Sequence, residues 1–183
     1  DESVTLELWF KPDDLSGNEI LWEDGGGTGM GLYLNDNVLE VWKMPGAGIV
    51  ASYDLSLLGA AATADFTQAV VEFDNTGNPD TVSLFINGTA IAVNASTANN
   101  AGDWTGGDAF GLGTRGGSNA GGLGSGSMGQ SAFAGEIAIF RTYRNDLLTH
   151  QQIARNYSLI SGQTVAGQNI TFFDRRTDKT RGV

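Results

Sequence analysis

Cysteine is absent from the 183 residues of this sequence, and histidine occurs once, as His150. Disulfides, thiol nucleophiles and cysteine-ligated zinc or iron–sulfur centres are therefore excluded. A single histidine cannot build a transition-metal site either. A Ser–His–Asp hydrolase would have to use His150, and no nucleophile motif stands near it in the sequence. These absences argue against several classes of enzyme.

Positively charged side chains are also few. Lysine and arginine total 10 against 21 aspartates and glutamates, which gives a formal charge of −11. Such a chain has no basic surface to displace counterions from phosphate, so nucleic acid is not expected as a partner. No apolar run approaches the roughly 18 residues that a membrane-spanning helix needs, and no membrane span is predicted.

Alternation of apolar and polar residues dominates the first 140 positions and predicts strands with one buried face. The opening stretch VTLELWF (4–10) puts its aliphatic residues and Phe10 on one face and Thr5, Glu7 and Trp9 on the other. Turn signals such as Asn87-Gly88 separate many short strands. This pattern predicts an all-β sandwich or jelly roll.

One helix is predicted, near the end of the chain. Thr149 and Gln152 have the spacing of a capping box, and apolar residues follow at roughly helical intervals. We therefore expect a helix over residues 149–158. Beyond it, GQNITFFD (167–174) has the character of a strand, and a basic tail follows it.

Five segments stand in the order found in a known superfamily: VTLELWFKPDD, NEILWEDGGGTGMGLYLNDNVLEVW, QAVVEFDNTG, VSLFINGTAIA, and AFGLG with FAGEIAIFRTYRNDLLTHQQIARNY. Together they resemble laminin G-like and pentraxin domains of the concanavalin A-like lectin/glucanase superfamily. The resemblance implies a jelly-roll sandwich of two antiparallel sheets with one short C-terminal helix. It also implies a secreted or cell-surface protein that binds glycans or proteins. We assign residues 1–160 to this domain and 161–183 to a C-terminal extension, as an extra strand with a basic tail or as a linker.

Calcium is a possible ligand, but the resemblance does not supply its site. The acidic cluster of pentraxins is replaced here by Thr114 and Arg115, and Asn18 alone matches one of their calcium ligands. Calcium needs six to eight oxygen ligands. Candidates are the aspartates at predicted strand ends, Asp24, Asp36, Asp74, Asp103 and Asp108. The alternative for each is a turn-forming aspartate.

Strand parity also suggests a binding face. Aromatic and acidic or amide residues share the side opposite the aliphatic residues, at Glu7, Trp9, Tyr33, Asn35, Glu40, Trp42 and Glu72. If their strands lie in one sheet, aromatic rings could stack on sugar C–H faces while the polar groups bind sugar hydroxyls. Trp104 is a further aromatic candidate. The alternative is that Trp9 and Trp42 cover the outside of a sheet or fill a loop pocket.

Catalysis is not predicted. Laminarinase-type glucanases, which share this fold, need carboxylates at alternate positions of one strand. The nearest match is Glu72-Phe73-Asp74, but Gly77 occupies the third position. The sequence thus predicts a non-catalytic extracellular module that binds carbohydrate on a concave face, with possible help from calcium. The alternative is a structural or adhesive subunit that contacts other proteins, itself included, through sheet edges and its C-terminal tail.

Overall fold

A computed structural model of the chain describes residues 3–25, 29–43, 48–76, 80–92, 107, 109–114, 116 and 131–162. In these described ranges the chain forms two sheets with eleven strands between them. The strands are β1 Val4–Pro12, β2 Asn18–Asp24, β3 Met30–Asn35, β4 Val38–Lys43, β5 Gly48–Asp54, β6 Thr67–Asp74, β7 Thr81–Ile86, β8 Thr89–Ile91, β9 Gly111–Leu112, β10 Ser131–Ala132 and β11 Gly135–Arg144. The predicted two-sheet sandwich is confirmed.

The described strands pass between the sheets in blocks: β2–β5, β9 and β10 form one sheet, and β1, β6–β8 and β11 form the other. The five-stranded sheet has the order β11-β1-β6-β7-β8, and the six-stranded sheet has the order β10-β2-β3-β4-β5 with β9 beside β2. Pairing is antiparallel except for β10 with β2. Asp36 and Asn87 adopt positive φ, 50° and 49°, in the turns that join β3 to β4 and β7 to β8. The turn at Asn87 was predicted from its Asn-Gly pair.

The core lies between the two sheets and is built from apolar side chains of both. Alternate residues of β1 point into it, as their pattern predicts, and Phe10 is completely buried. An irregularity in the pairing of β2 with β3 lets the neighbours Leu21 and Trp22 both contribute to the core. Such a bulge turns two successive side chains to one face, which simple alternation does not predict.

A helix covers the outer face of the five-stranded sheet. Helix α2, His150–Ser161, follows a 3-10 turn at Leu55–Leu58 and the single-turn helix α1 at Ala61–Ala64. Thr149 and Gln152 form the predicted capping box, and Gly162 ends α2 in a left-handed conformation (φ 71°). The apolar side of α2 packs on outward residues of β1, β6 and β7. No helix in the described ranges is long and apolar enough to cross a membrane.

Candidate functional site

The predicted binding residues divide between two sheets. Glu7, Trp9 and Glu72 lie on β1 and β6 of the five-stranded sheet, whereas Tyr33, Asn35, Glu40 and Trp42 lie on β3 and β4 of the other. The prediction of one shared face is therefore wrong, because its condition of a single sheet is not met. Trp104 lies outside the described residues.

Glu7 is the centre of a hydrogen-bond network that joins the five-stranded sheet to α2. Its side chain has no solvent exposure and accepts hydrogen bonds from five donors, Trp9 Nε1 (3.0 Å), Gln68 Nε2 (2.8 Å), Arg141 Nη1 (3.1 Å), the Tyr143 hydroxyl (3.1 Å) and Asn156 Nδ2 (3.2 Å). Burial raises the pKa of Glu7, but the hydrogen bonds from Trp9, Gln68 and Arg141 outweigh it and bring the pKa below its ordinary value. This carboxylate links β1, β6, β11 and α2 through hydrogen bonds.

Trp9 and Glu72 are enclosed by the same packing. The ring of Trp9 stacks on Tyr157 of α2, with centroids 5.8 Å apart and planes 13° from parallel. Glu72 accepts a hydrogen bond from the Thr5 hydroxyl at 3.4 Å, and burial raises its pKa above the ordinary value. Trp9 therefore lies on the outside of the five-stranded sheet, beneath α2, which is the alternative to a role in sugar binding.

A cleft of about 280 Å³ opens where the last turns of α2 meet the five-stranded sheet. Trp9 and Tyr157 contribute to its lining, and Asp65 and Asn87 add polar groups. Leu159 and Ile160 leave much of their apolar surface exposed at the same end of α2. The cleft lies beside the five-stranded sheet, and none of the predicted binding residues of β3 and β4 lines it.

The outer face of the six-stranded sheet gathers the other four predicted residues. Pairing of β3 with β4 sets Tyr33 opposite Glu40 and Asn35 opposite Val38. Glu40 accepts hydrogen bonds from Asn35 Nδ2 (3.1 Å, to Oε1) and from Trp42 Nε1 (2.9 Å, to Oε2). One carboxylate thus fixes both the indole ring and the amide. We call Asn35, Glu40 and Trp42 the β3–β4 triad.

Gly31 and Glu23 belong to this face and were missed by the sequence analysis. Gly31 stands opposite both Glu23 and Trp42. A Cβ at Gly31 would lie 2.4 Å from the ring of Tyr33, so the missing side chain is what lets that ring lie over β3. Glu23 is buried and accepts a hydrogen bond from the Gly116 amide at 2.7 Å. A glycine inside an alternating strand was the signal available for Gly31.

Exposure on this face is uneven. Glu40 and Tyr33 are nearly buried, at 6% and 4%, whereas Trp42 and Asn35 are partly exposed and Ser52 on β5 is exposed. Trp42 packs against Tyr33 and Ile20, which supports its ring from below. A partly exposed ring beside a fixed amide and carboxylate can stack on an apolar surface and bind hydroxyl groups at its edge.

The three candidate calcium ligands that the structure describes, Asp24, Asp36 and Asp74, do not form a common metal-binding group. Asp36 accepts a hydrogen bond from the Gly17 amide, and Asp74 accepts hydrogen bonds from Thr76 and Ser3. Burial raises the pKa of Asp24. In the part of the chain that the structure describes, no three carboxylate or histidine side chains form a group that could hold a metal ion. Asp103 and Asp108 lie outside it, and calcium stays a prediction.

A family model of known proteins matches most of the chain. A laminin G family model, described as the concanavalin A-like lectin/glucanases superfamily, matches residues 1–154. The chain belongs to this superfamily, and the resemblance found in the sequence is confirmed. No curated protein matches the chain in a sequence search.

Solved structures resemble the chain at low sequence identity. The CBM40 domain of the Ruminococcus gnavus IT-sialidase, bound to alpha2,3 sialyllactose, is 21% identical with a TM-score of 0.56, covering 84% of this chain and 82% of that one. The binding domain of botulinum neurotoxin serotype D is 14% identical (TM-score 0.60), with 87% and 36% covered. The NanB sialidase of Streptococcus pneumoniae is 18% identical (TM-score 0.58), with 84% and 23% covered.

These likenesses show the jelly-roll fold. The chain spans only 36% of the neurotoxin domain and 23% of the NanB sialidase, so it matches a part of each. At such identities the chemistry of the binding site has to be argued from the residues of this chain.

Proposed function

We propose that the chain is a non-catalytic module that binds carbohydrate on the outer face of its six-stranded sheet, which we take as the concave face of the prediction. The observation that carries the proposal is the β3–β4 triad. Glu40 is nearly buried and orients the Trp42 ring and the Asn35 amide together, at 2.9 and 3.1 Å. A ring and an amide held in one geometry lose little side-chain entropy when a ligand binds.

The chemistry of the triad suits a sugar. The apolar C–H face of a pyranose can stack on the partly exposed indole of Trp42. An ionised carboxylate offers about four lone-pair sites, and Glu40 accepts only two hydrogen bonds from the described residues. Sugar hydroxyls can donate to the remaining sites. Membership of a lectin-like superfamily, and a structural relative bound to sialyllactose, support the proposal.

Glycan-array screening followed by calorimetric titration tests the proposal. We expect Trp42→Ala to weaken binding by at least about tenfold, because the stacking surface is lost. Trp42→Phe should retain part of the affinity. The matched control is Leu159→Ala, an exposed apolar residue on α2 beside the other sheet, which should bind as the unchanged protein does. Full affinity in a folded Trp42→Ala protein would contradict the proposal.

A structural or adhesive subunit is the second candidate. The observation that favours it is the exposed apolar surface of Leu159 and Ile160, 56% and 41% exposed, beside the cleft. Sedimentation velocity over a range of concentrations would show self-association, which Ile160→Ser should weaken. The predicted contribution of the tail is tested in the same assay by removing residues 163–183, which lie outside the described residues.

Calcium assistance and an extracellular location complete the proposal. A calcium ion bound only by the folded protein must raise its melting temperature over that in chelator. We expect Asp103→Asn with Asp108→Asn to abolish this rise, because Asp36 and Asp74 already accept turn hydrogen bonds. A melting temperature that is the same in calcium and in chelator would contradict the calcium part of the proposal. Immunodetection in culture medium and on intact cells tests the location.

A further inference from the structure

We infer that the outer face of the six-stranded sheet selects neutral glycans over glycans that carry a carboxylate or sulfate. The inference rests on the proposed function and concerns the same face. It follows from the charges that surround the β3–β4 triad, and it names the class of sugar that the triad can accept.

Negative charge stands where the ligand would lie. Glu40 is part of the triad, and Asp54 faces outward two positions along, on the neighbouring strand, where β5 pairs its Asp54 with Val38. Diagonal neighbours on adjacent strands lie about 7–8 Å apart. An anionic sugar stacked on Trp42 would therefore bring its charge close to the Glu40 carboxylate, with Asp54 further along the same face, opposite Val38.

Positive charge is missing from the described part of this face. The six-stranded sheet has one cation among its described residues, Lys43, which has no solvent exposure and pairs with the core residue Met30. The other described cations belong to elements of the opposite sheet, namely Lys11 on β1, Arg141 and Arg144 on β11, and Arg155 on α2.

Recognition of an anionic sugar normally uses such a cation. A carboxylate or sulfate that leaves water needs a charge-assisted hydrogen bond, most often from arginine, to compensate for its lost hydration. Here it would lose water and meet like charge as well. We therefore expect the acidic form of any bound glycan to bind about tenfold more weakly than its neutral form.

Matched glycan pairs test the inference on the full chain. An array and titrations would compare each neutral core with its sialylated and sulfated forms, lactose with alpha2,3 sialyllactose among them. We expect the neutral member of each pair to bind, and its acidic partner to bind with about tenfold lower affinity. We call this ratio of affinities the affinity gap. Acidic forms that bind as tightly as neutral ones would overturn the inference while leaving the proposed function intact. If no glycan binds, the proposed function fails and the inference fails with it.

Two further measurements identify charge as the cause. Asp54→Asn keeps an oxygen that can cap the turn at Ser56 but removes a charge, so it should narrow the gap. Asp65→Asn, which removes an exposed charge beside the other sheet, is the matched control and should leave it unchanged. Raising the salt concentration should narrow the gap too, because repulsion is screened. If neither a higher salt concentration nor Asp54→Asn changes the affinity gap, the electrostatic explanation is overturned.

The Arg115→Ala variant is titrated with the same glycan pairs, because Arg115 lies outside the described residues and adjoins Gly116 in the sequence. An acidic glycan whose binding equals that of its neutral partner in the unchanged protein, and is lost in Arg115→Ala, would overturn the inference and identify the cation responsible.

Discussion

Replacement of Glu7 by alanine should destabilise the protein more than any other change of one surface or buried acid. The Glu7 carboxylate is completely buried and accepts five hydrogen bonds. Two of its donors, Trp9 Nε1 and Gln68 Nε2, belong to buried side chains and cannot turn to water. The others, including the partly exposed Arg141, can recover hydration.

The size of this loss of stability follows from the two buried donors that Glu7→Ala leaves without an acceptor. A buried donor without a partner costs about 1–3 kcal/mol, so two of them cost about 4 kcal/mol in all. Domains of this size have a total stability of about 5–15 kcal/mol, and the loss would be a large part of it. Glu7→Gln should lie between the two proteins, because the amide keeps one acceptor oxygen but presents an NH₂ group to donors.

Urea denaturation followed by tryptophan fluorescence measures these free energies of unfolding. The matched control is Glu136→Ala, which removes an exposed acid of β11 paired with Lys11 and should cost less than about 0.5 kcal/mol. A loss below about 1 kcal/mol for Glu7→Ala would refute the reasoning, since the donors would then have found other partners.

Acid titration gives the same prediction a second readout. The pKa of Glu7 lies below its ordinary value in the folded protein, where hydrogen bonds from Trp9, Gln68 and Arg141 outweigh burial. Its stabilising contribution is therefore complete above the unfolded pKa, about 4.3, and is lost as the pH falls through the folded pKa. Between pH 5 and pH 3 the stability of Glu7→Gln should accordingly fall less steeply.

Three further predictions concern the same fold. Glu72→Gln should be more stable than the unchanged protein at pH 7, because burial raises the pKa of Glu72; calorimetry should show the difference shrinking as the pH falls toward 4. Thr149→Ala should lower the free energy of unfolding by about 1 kcal/mol, whereas Thr149→Ser, which keeps the cap, should not. Gly31→Ala should displace the Tyr33 ring and weaken glycan binding with little loss of stability; unchanged affinity in titration would contradict the geometry of the site.

Local features of the fold were predictable from the sequence. Alternation in β1 determines which side chains enter the core, and the capping box of Thr149 determines where α2 begins. The turns at Asp36 and Asn87 follow from residues that tolerate positive φ. The short turns at Leu55–Leu58 and Ala61–Ala64 were missed, because one turn of helix has no periodicity to detect.

The composition of the binding face was only half predictable. Parity correctly turned Trp9 and Trp42 away from the core, but parity does not say which sheet a strand joins. That depends on long-range pairing, in which β1 lies between β11 and β6 while β3 lies between β2 and β4. The bulge in β2, which turns Leu21 and Trp22 to the same side, is a further departure from alternation that the sequence pattern does not reveal.

Hydrogen-bond capacity separates Glu7 from Glu40, two of the three outward glutamates that the sequence pattern grouped together. A carboxylate has about four lone-pair sites. Glu7 meets five protein donors, so its capacity is used up under α2 and nothing remains for a ligand. Glu40 accepts hydrogen bonds from two donors of the described residues, and one of these donors is the partly exposed indole of Trp42. The same residue type therefore fastens a helix on one sheet and, with its spare capacity beside an aromatic ring, suits recognition of hydroxyl groups on the other.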